Sequence, residues 1–112
     1  MAEQLNVLVI CGSLRKGSYN AALTKALPAL APPEIKLVPA PGIEPLPLYN
    51  QDIQDASGFP PAAEDLAAAI RSADGVLFVT PEYNWSMPGG LKNAIDWVSR
   101  MKNQPFEGKP VA

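Results

Sequence analysis

The sequence predicts an α/β domain built on a doubly wound parallel sheet, and three patterns carry that expectation. Leu5 to Cys11 and Gly75 to Thr80 are short apolar runs of the kind buried on both faces of a sheet. Each gives way to a loop that opens a helix, at Gly12 to Asn20 and again at Pro81 to Gly90. Apolar residues at helical spacing fill the stretches between. Strand, loop and helix repeated in one chain put both loops at the carboxyl edge of one sheet, where open α/β sheets bind ligands.

Taken in order, Leu5 to Cys11 reads as the central strand. A helix is expected from about Ser18, a good N-cap, through Ala21, Ala22, Leu23, Ala26 and Leu27, and Pro28 should end or bend it. Ile35 to Val38 is a short second strand, and Lys36 with Pro39 suits it to an edge. From Pro39 to Pro61 regular patterning dissolves, yet Leu46, Leu48, Tyr49 and Phe59 can pack. The stretch is expected to be an ordered loop beside a site or interface, with a merely surface-packed loop as the competing reading.

Helix signals return at Pro61, with Glu64 and Asp65 near the positive end and Leu66, Ala69, Ile70 and Ala73 on one face. After the strand at Gly75 to Thr80, a last helix is expected from about Leu91 to Met101. Leu91, Ala94, Ile95 and Val98 form one stripe on it, and Trp97 with Met101 extends a second, wide enough to cover a partner subunit as well as a core. Lys92 and Asp96 read as a weak exposed pair. Gly108 to Ala112 looks like the opening of a further buried strand.

Composition narrows the function classes. Nine basic against eleven acidic residues, with no long charge run, predict neither nucleic acid nor membrane as a partner. No apolar run reaches the ~20 residues of a membrane helix, and Met1 to Asn6 shows no leader pattern. The single Cys11 has no disulfide partner, which suits a cytoplasmic setting, and its place at a strand end predicts a buried core thiol. With no histidine and no cysteine cluster, triad hydrolysis and zinc chemistry are excluded, so an enzyme of this composition would rely on a bound cofactor.

The first loop has the makings of an anion cradle. Ser13 and Ser18 offer hydroxyls, Arg15 a guanidinium, Asn20 an amide, and a helix start brings free N–H groups and a positive dipole end. A tight structural turn with a solvated arginine is the competing reading. The triphosphate loop is ruled out because Ser18, not lysine, follows Gly17, and the dinucleotide fingerprint is ruled out because Ser13 and Leu14 follow Gly12. A single phosphomonoester such as that of FMN is left as the better guess. The second loop adds aromatic surface and backbone groups that suit a planar ring.

Gly12-Ser13-Leu14-Arg15-Lys16-Gly17-Ser18-Tyr19-Asn20, and Pro81-Glu82-Tyr83-Asn84-Trp85-Ser86-Met87-Pro88-Gly89-Gly90 with the Leu91 to Trp97 run after it, resemble the NADPH-dependent FMN reductase family. That flavodoxin-like group includes quinone, azo-dye and chromate reductases, and Leu46 to Asn50 is similar to it as well. The resemblance implies a parallel sheet of order 2-1-3-4-5, with residues 1–112 as the N-terminal portion of a single FMN-binding domain that stops within the fourth strand. It implies that Ser13, Arg15, Ser18, Tyr19 and Asn20 bind the FMN phosphate end, and that Pro81, Glu82, Tyr83 and Asn84 lie along the ring. It also implies NADPH or NADH as electron donor, a small-molecule acceptor (a quinone, azo dye, metal oxyanion or free flavin), and a homodimer or homotetramer, here through the Leu91 to Met101 helix. No side chain is expected to act as acid or base. The alternatives are a flavodoxin-type electron carrier and an inactive fragment lacking part of the flavin pocket.

Overall fold

β1, Leu5–Cys11, is paired on both sides in the computed structural model, which describes residues 4–112. The leader reading of Met1 to Asn6 therefore falls partly outside the described residues. β2, Ile35–Pro39, runs parallel to β1 with Val7 opposite Leu37, and β3, Gly75–Val79, runs parallel on the other side with Cys11 opposite Val79. The order β2-β1-β3 is the expected one. Beyond β3, the N–H groups of Val76 and Phe78 donate to Pro110 and Ala112 carbonyls at 3.0 and 2.8 Å, so a parallel pairing begins there as predicted.

Side-chain alternation along β1 divides the molecule into layers. Leu8 and Ile10, with Val76, face α3 (Pro61–Ser72) and α4 (Gly89–Ser99), where Leu66, Ile70, Leu91, Ala94 and Val98 complete the main core. α1, Tyr19–Leu30, lies across the opposite face against β1, β2 and β3. It buries no residue fully. Pro28 stands inside its last turn, and the helix runs two residues further, to Leu30, instead of ending there.

Two expectations need correction. The irregular stretch from Pro39 to Pro61 contains a helix, α2, at Gln51–Ser57. Asn50 caps it by accepting from the Asp52 N–H at 2.9 Å, and Gly58, at φ 75°, closes it with its N–H on the Gln54 carbonyl. The second correction concerns the partner surface on α4. Trp97 is 0% exposed and Met101 is buried, both packed against Ala63 and Ala67 of α3 with Leu46, Tyr49 and Phe59 of their own chain beside them. The apolar surface that predicted a subunit contact through this helix is used internally. The Lys92–Asp96 pair is exposed, as read.

Candidate functional site

Two loops emerge together because β1 and β3 are neighbours. The Gly12 N–H donates to the Val79 carbonyl at 2.8 Å, carrying the pairing one residue past β1. No side chain fits at Gly12: a Cβ there would lie 2.8 Å from Thr80 Cβ and 3.1 Å from Leu91 Cδ2. Glycine lets the start of the first loop press against the start of the second. On the far side, a Cβ on Gly90 would meet Leu14 Cδ1 at 3.4 Å, so the Leu14 side chain reaches from the first loop to the first turn of α4.

The first loop is rich in unspent donors. Among the described residues, the backbone N–H groups of Ser13, Leu14, Arg15, Lys16, Gly17, Tyr19 and Asn20 make no hydrogen bond to protein. Ser18 behaves differently. It is 6% exposed, its N–H donates to the Arg15 carbonyl at 3.2 Å, and its Oγ accepts from the Ala21 N–H at 2.9 Å as the cap of α1. Its hydroxyl proton alone is left for a ligand. Free amides beside the positive dipole end of a helix are the physical requirement for holding a phosphate.

Ser13 and Arg15 also line a hollow of about 480 Å³, together with Lys16, Thr24, Lys25 and Glu44. Three cations face one carboxylate there, so the hollow favours an anion. Thr24, Lys25 and Glu44 escaped the sequence reading, which quoted Lys16 in the first-loop motif but gave it no role. Ala21, Thr24 and Lys25 share one helical face at i, i+3 and i+4, and that spacing could have revealed the two side chains aimed back at the loop. Cys11 lines the same hollow half-buried, with Sγ 3.7 Å from the Ser13 carbonyl, so it is not the buried core thiol that was expected. It stands where β1 gives way to the loop.

The other predicted positions are distributed as follows. Tyr19 is 88% exposed, Asn20 is half-buried with its carbonyl accepting from Thr24 Oγ1, and neither lines the hollow. Pro81 is half-buried at the root of the second loop, and Glu82, Tyr83 and Asn84 are exposed along it. The structure sets the two loops side by side at one edge of the sheet, and the hollow at the first loop is lined by no residue of the second.

The second loop is a two-residue hairpin. Tyr83 and Ser86 exchange both backbone hydrogen bonds, at 2.8 and 3.0 Å, and the residues between them, Asn84 and Trp85, sit at φ 50° and 66°. Positive φ at both central positions is the signature of a type I′ turn, whose preferred second residue is glycine. Asparagine tolerates that conformation; for tryptophan it costs about 1–2 kcal/mol. The sequence reading saw aromatic surface here but not the hairpin that fixes it.

A three-stranded parallel sheet with loops gathered at its carboxyl edge defines a doubly wound α/β domain of the flavodoxin-like class. Residues 5–112 match the model of the NADPH-dependent FMN reductase family, and the chain belongs to that family. It is 54% identical over 111 residues to a quinone reductase of Escherichia coli strain K12, covering 99% of this chain and 59% of that protein. It is 54% identical over 112 residues to an NAD(P)H-dependent FMN reductase of Pseudomonas aeruginosa, covering 100% of this chain and 60% of that one. Among solved structures it is similar to FerB, a flavoenzyme NAD(P)H:(acceptor) oxidoreductase from Paracoccus denitrificans. The TM-score is 0.83 at 42% identity, over 96% of this chain and 58% of that one. The chain thus spans about 59% of the length of the curated relatives it matches.

Proposed function

We propose that the chain is the FMN-binding portion of an NAD(P)H-dependent quinone reductase, with the phosphate of FMN held by the Gly12 to Asn20 loop and its ring lying along Pro81 to Asn84. The observation that carries this reading is the row of unpaired amides from Ser13 to Gly17, continued at Tyr19 and Asn20, beside the Arg15 guanidinium. The donor set fits a phosphomonoester in charge and in geometry. In this reading Ser13 and Arg15 give direct hydrogen bonds, Lys16 and Lys25 raise the local potential, and Ser18 holds the start of α1 in place while its hydroxyl proton reaches inward. Glu82, Tyr83 and Asn84 set the edge of the ring site, and the Asn84–Trp85 turn keeps their backbone rigid.

When bound, FMN supplies the redox step, taking two electrons and a proton from NADPH and delivering two electrons and, with solvent, two protons to the acceptor. The protein's part is to hold donor and acceptor in contact with the ring, and no side chain of this chain need move a proton. The quinone reductases among the relatives support a quinone as the acceptor, ahead of an azo dye or a metal oxyanion. A reducing cytoplasm suits both the free Cys11 thiol and a nicotinamide donor.

The test is a titration of the purified chain with FMN, followed by NADPH oxidation with a quinone present. Saturable quenching of flavin fluorescence and quinone-dependent NADPH consumption are expected. Failure to bind FMN overturns the reading, and flavin binding without NADPH oxidation turns it toward an electron carrier.

A further inference from the structure

Trp85 sits where folding alone would not put a tryptophan. Its side chain is 93% exposed, so it contributes almost nothing to the core, and its φ of 66° is one that a residue with a Cβ adopts only against resistance. Glycine at this position would relax the turn, and the two hydrogen bonds between Tyr83 and Ser86 would survive the change. The hairpin therefore presents an exposed indole from a defined backbone turn on the loop that begins at Pro81. An aromatic face that packs against nothing among the described residues is suited to a flat ligand. An indole is electron-rich, and the rings that stack on it most favourably are electron-poor.

We propose that Trp85 is a specificity-determining residue that stacks against the ring of the quinone acceptor as it approaches the site. This rests on the reading of the Pro81 to Asn84 loop as the edge of the flavin site, and it adds which acceptors are preferred: planar, electron-poor rings over acceptors with no flat ring to stack. The paired turn matters because the backbone under the indole is already ordered, so binding costs side-chain rotamers but no loop ordering.

The two tryptophans make the idea directly readable. Trp97 is 0% exposed and Trp85 is 93% exposed, so quenching by an added quinone reports on Trp85. Duroquinone is the probe, because its fully substituted ring resists addition by the Cys11 thiol. Static quenching, with the fluorescence lifetime unchanged, is expected from the wild-type chain and should vanish in Trp85→Gly. In turnover, the ratio of kcat/KM for duroquinone to that for ferricyanide, a non-planar acceptor, should fall about three- to tenfold in Trp85→Gly, and Trp85→Phe should restore most of it.

Purely collisional quenching, or an unchanged ratio in Trp85→Gly, overturns the proposal. So does a sedimentation shift from dimer to monomer in Trp85→Gly, which would mean that the indole packs against a second copy. A chain that binds no FMN would sink the flavin reading yet leave the static quenching measurable, and a flavin-loaded, NADPH-oxidising chain indifferent to Trp85 would sink only the stacking. The glycine variant relaxes the turn, so loss of fold does not confuse the result.

Discussion

At the scale of single residues, Gly12 and Arg15 do opposite jobs a few positions apart. Gly12 is there for what it lacks, since any Cβ would run into the Thr80 side chain and Leu91. Gly12→Ala should destabilise the fold by about 1–3 kcal/mol, read as a lower urea midpoint at unchanged m-value. The Arg15 side chain is exposed and makes no hydrogen bond or ion pair among the described residues, so the fold does not depend on its guanidinium. Arg15→Ala should leave the urea midpoint in place and weaken FMN binding about tenfold, more at low salt than at high. Equal FMN affinity in that variant would remove Arg15 from the phosphate site. Arg15 was singled out from sequence for its charge, and Gly12 entered as the point where the first strand gives way to its loop. The reason Gly12 is needed was not legible, because Thr80 and Leu91 lie far along the chain and only the sheet brings them close. Lys25 was missed for a related reason: a lysine on a polar helix face looks like solvated surface until the loop folds back beneath it.

At the scale of elements, the structure turns on how α4 grips the chain before it. Asn93 behaves as a substitute peptide group: its Nδ2 donates to the Pro47 carbonyl at 2.9 Å, and its Oδ1 accepts from the Tyr49 N–H at 2.7 Å. Trp97 Nε1 donates to the same Pro47 carbonyl at 2.7 Å. The indole also meets the rings of Tyr49 and Phe59 edge-on, with centroids 4.8 and 6.2 Å away. These contacts explain why a proline-rich stretch is ordered, and why Trp97 has no face to offer a partner. The strands and the longer helices were legible because each carries its own apolar period. α2 was not, because its seven residues hold the single large apolar side chain Ile53, and its only markers are the caps at Asn50 and Gly58. Asn93→Ala removes both bonds to the segment at once. It should cost about 1–3 kcal/mol and raise amide exchange across residues 46–59 while the exchange of β1 and β3 changes only with global stability. Asn93→Asp keeps the acceptor for Tyr49 but sets a carboxylate against the Pro47 carbonyl, so it should be at least as damaging. Unchanged exchange at Tyr49 in either variant would show that the rings alone hold the segment.

At the scale of the whole molecule, the two faces of the sheet are covered unequally. A parallel sheet is stable when both faces are buried. Here α3 and α4 close one face, while on the other α1 shields Val9 and leaves Val7, Ile35, Leu37 and Leu77 around a hollow of about 310 Å³ that extends to Val111. The register explains the grouping, since Val7 pairs with Leu37 and with Gly75, and Val9 with Leu77, so these side chains share one face. Leu30, 74% exposed at the end of α1, adds apolar surface on that side of the sheet. A continuous apolar hollow of this kind binds hydrophobic dyes and promotes association at raised concentration. The 112-residue chain should therefore enhance the fluorescence of anilinonaphthalene sulfonate while keeping a cooperative urea transition, which separates an open face from a molten core. Leu77→Lys places a charge at the centre of the hollow and should lower both dye fluorescence and the concentration dependence of the sedimentation coefficient. Lys36→Ala, on the alternate face of β2, should change neither. Dye binding that survives Leu77→Lys at full strength would mean that the hollow is not the exposed apolar surface and that the face is closed in solution by a movement of α1.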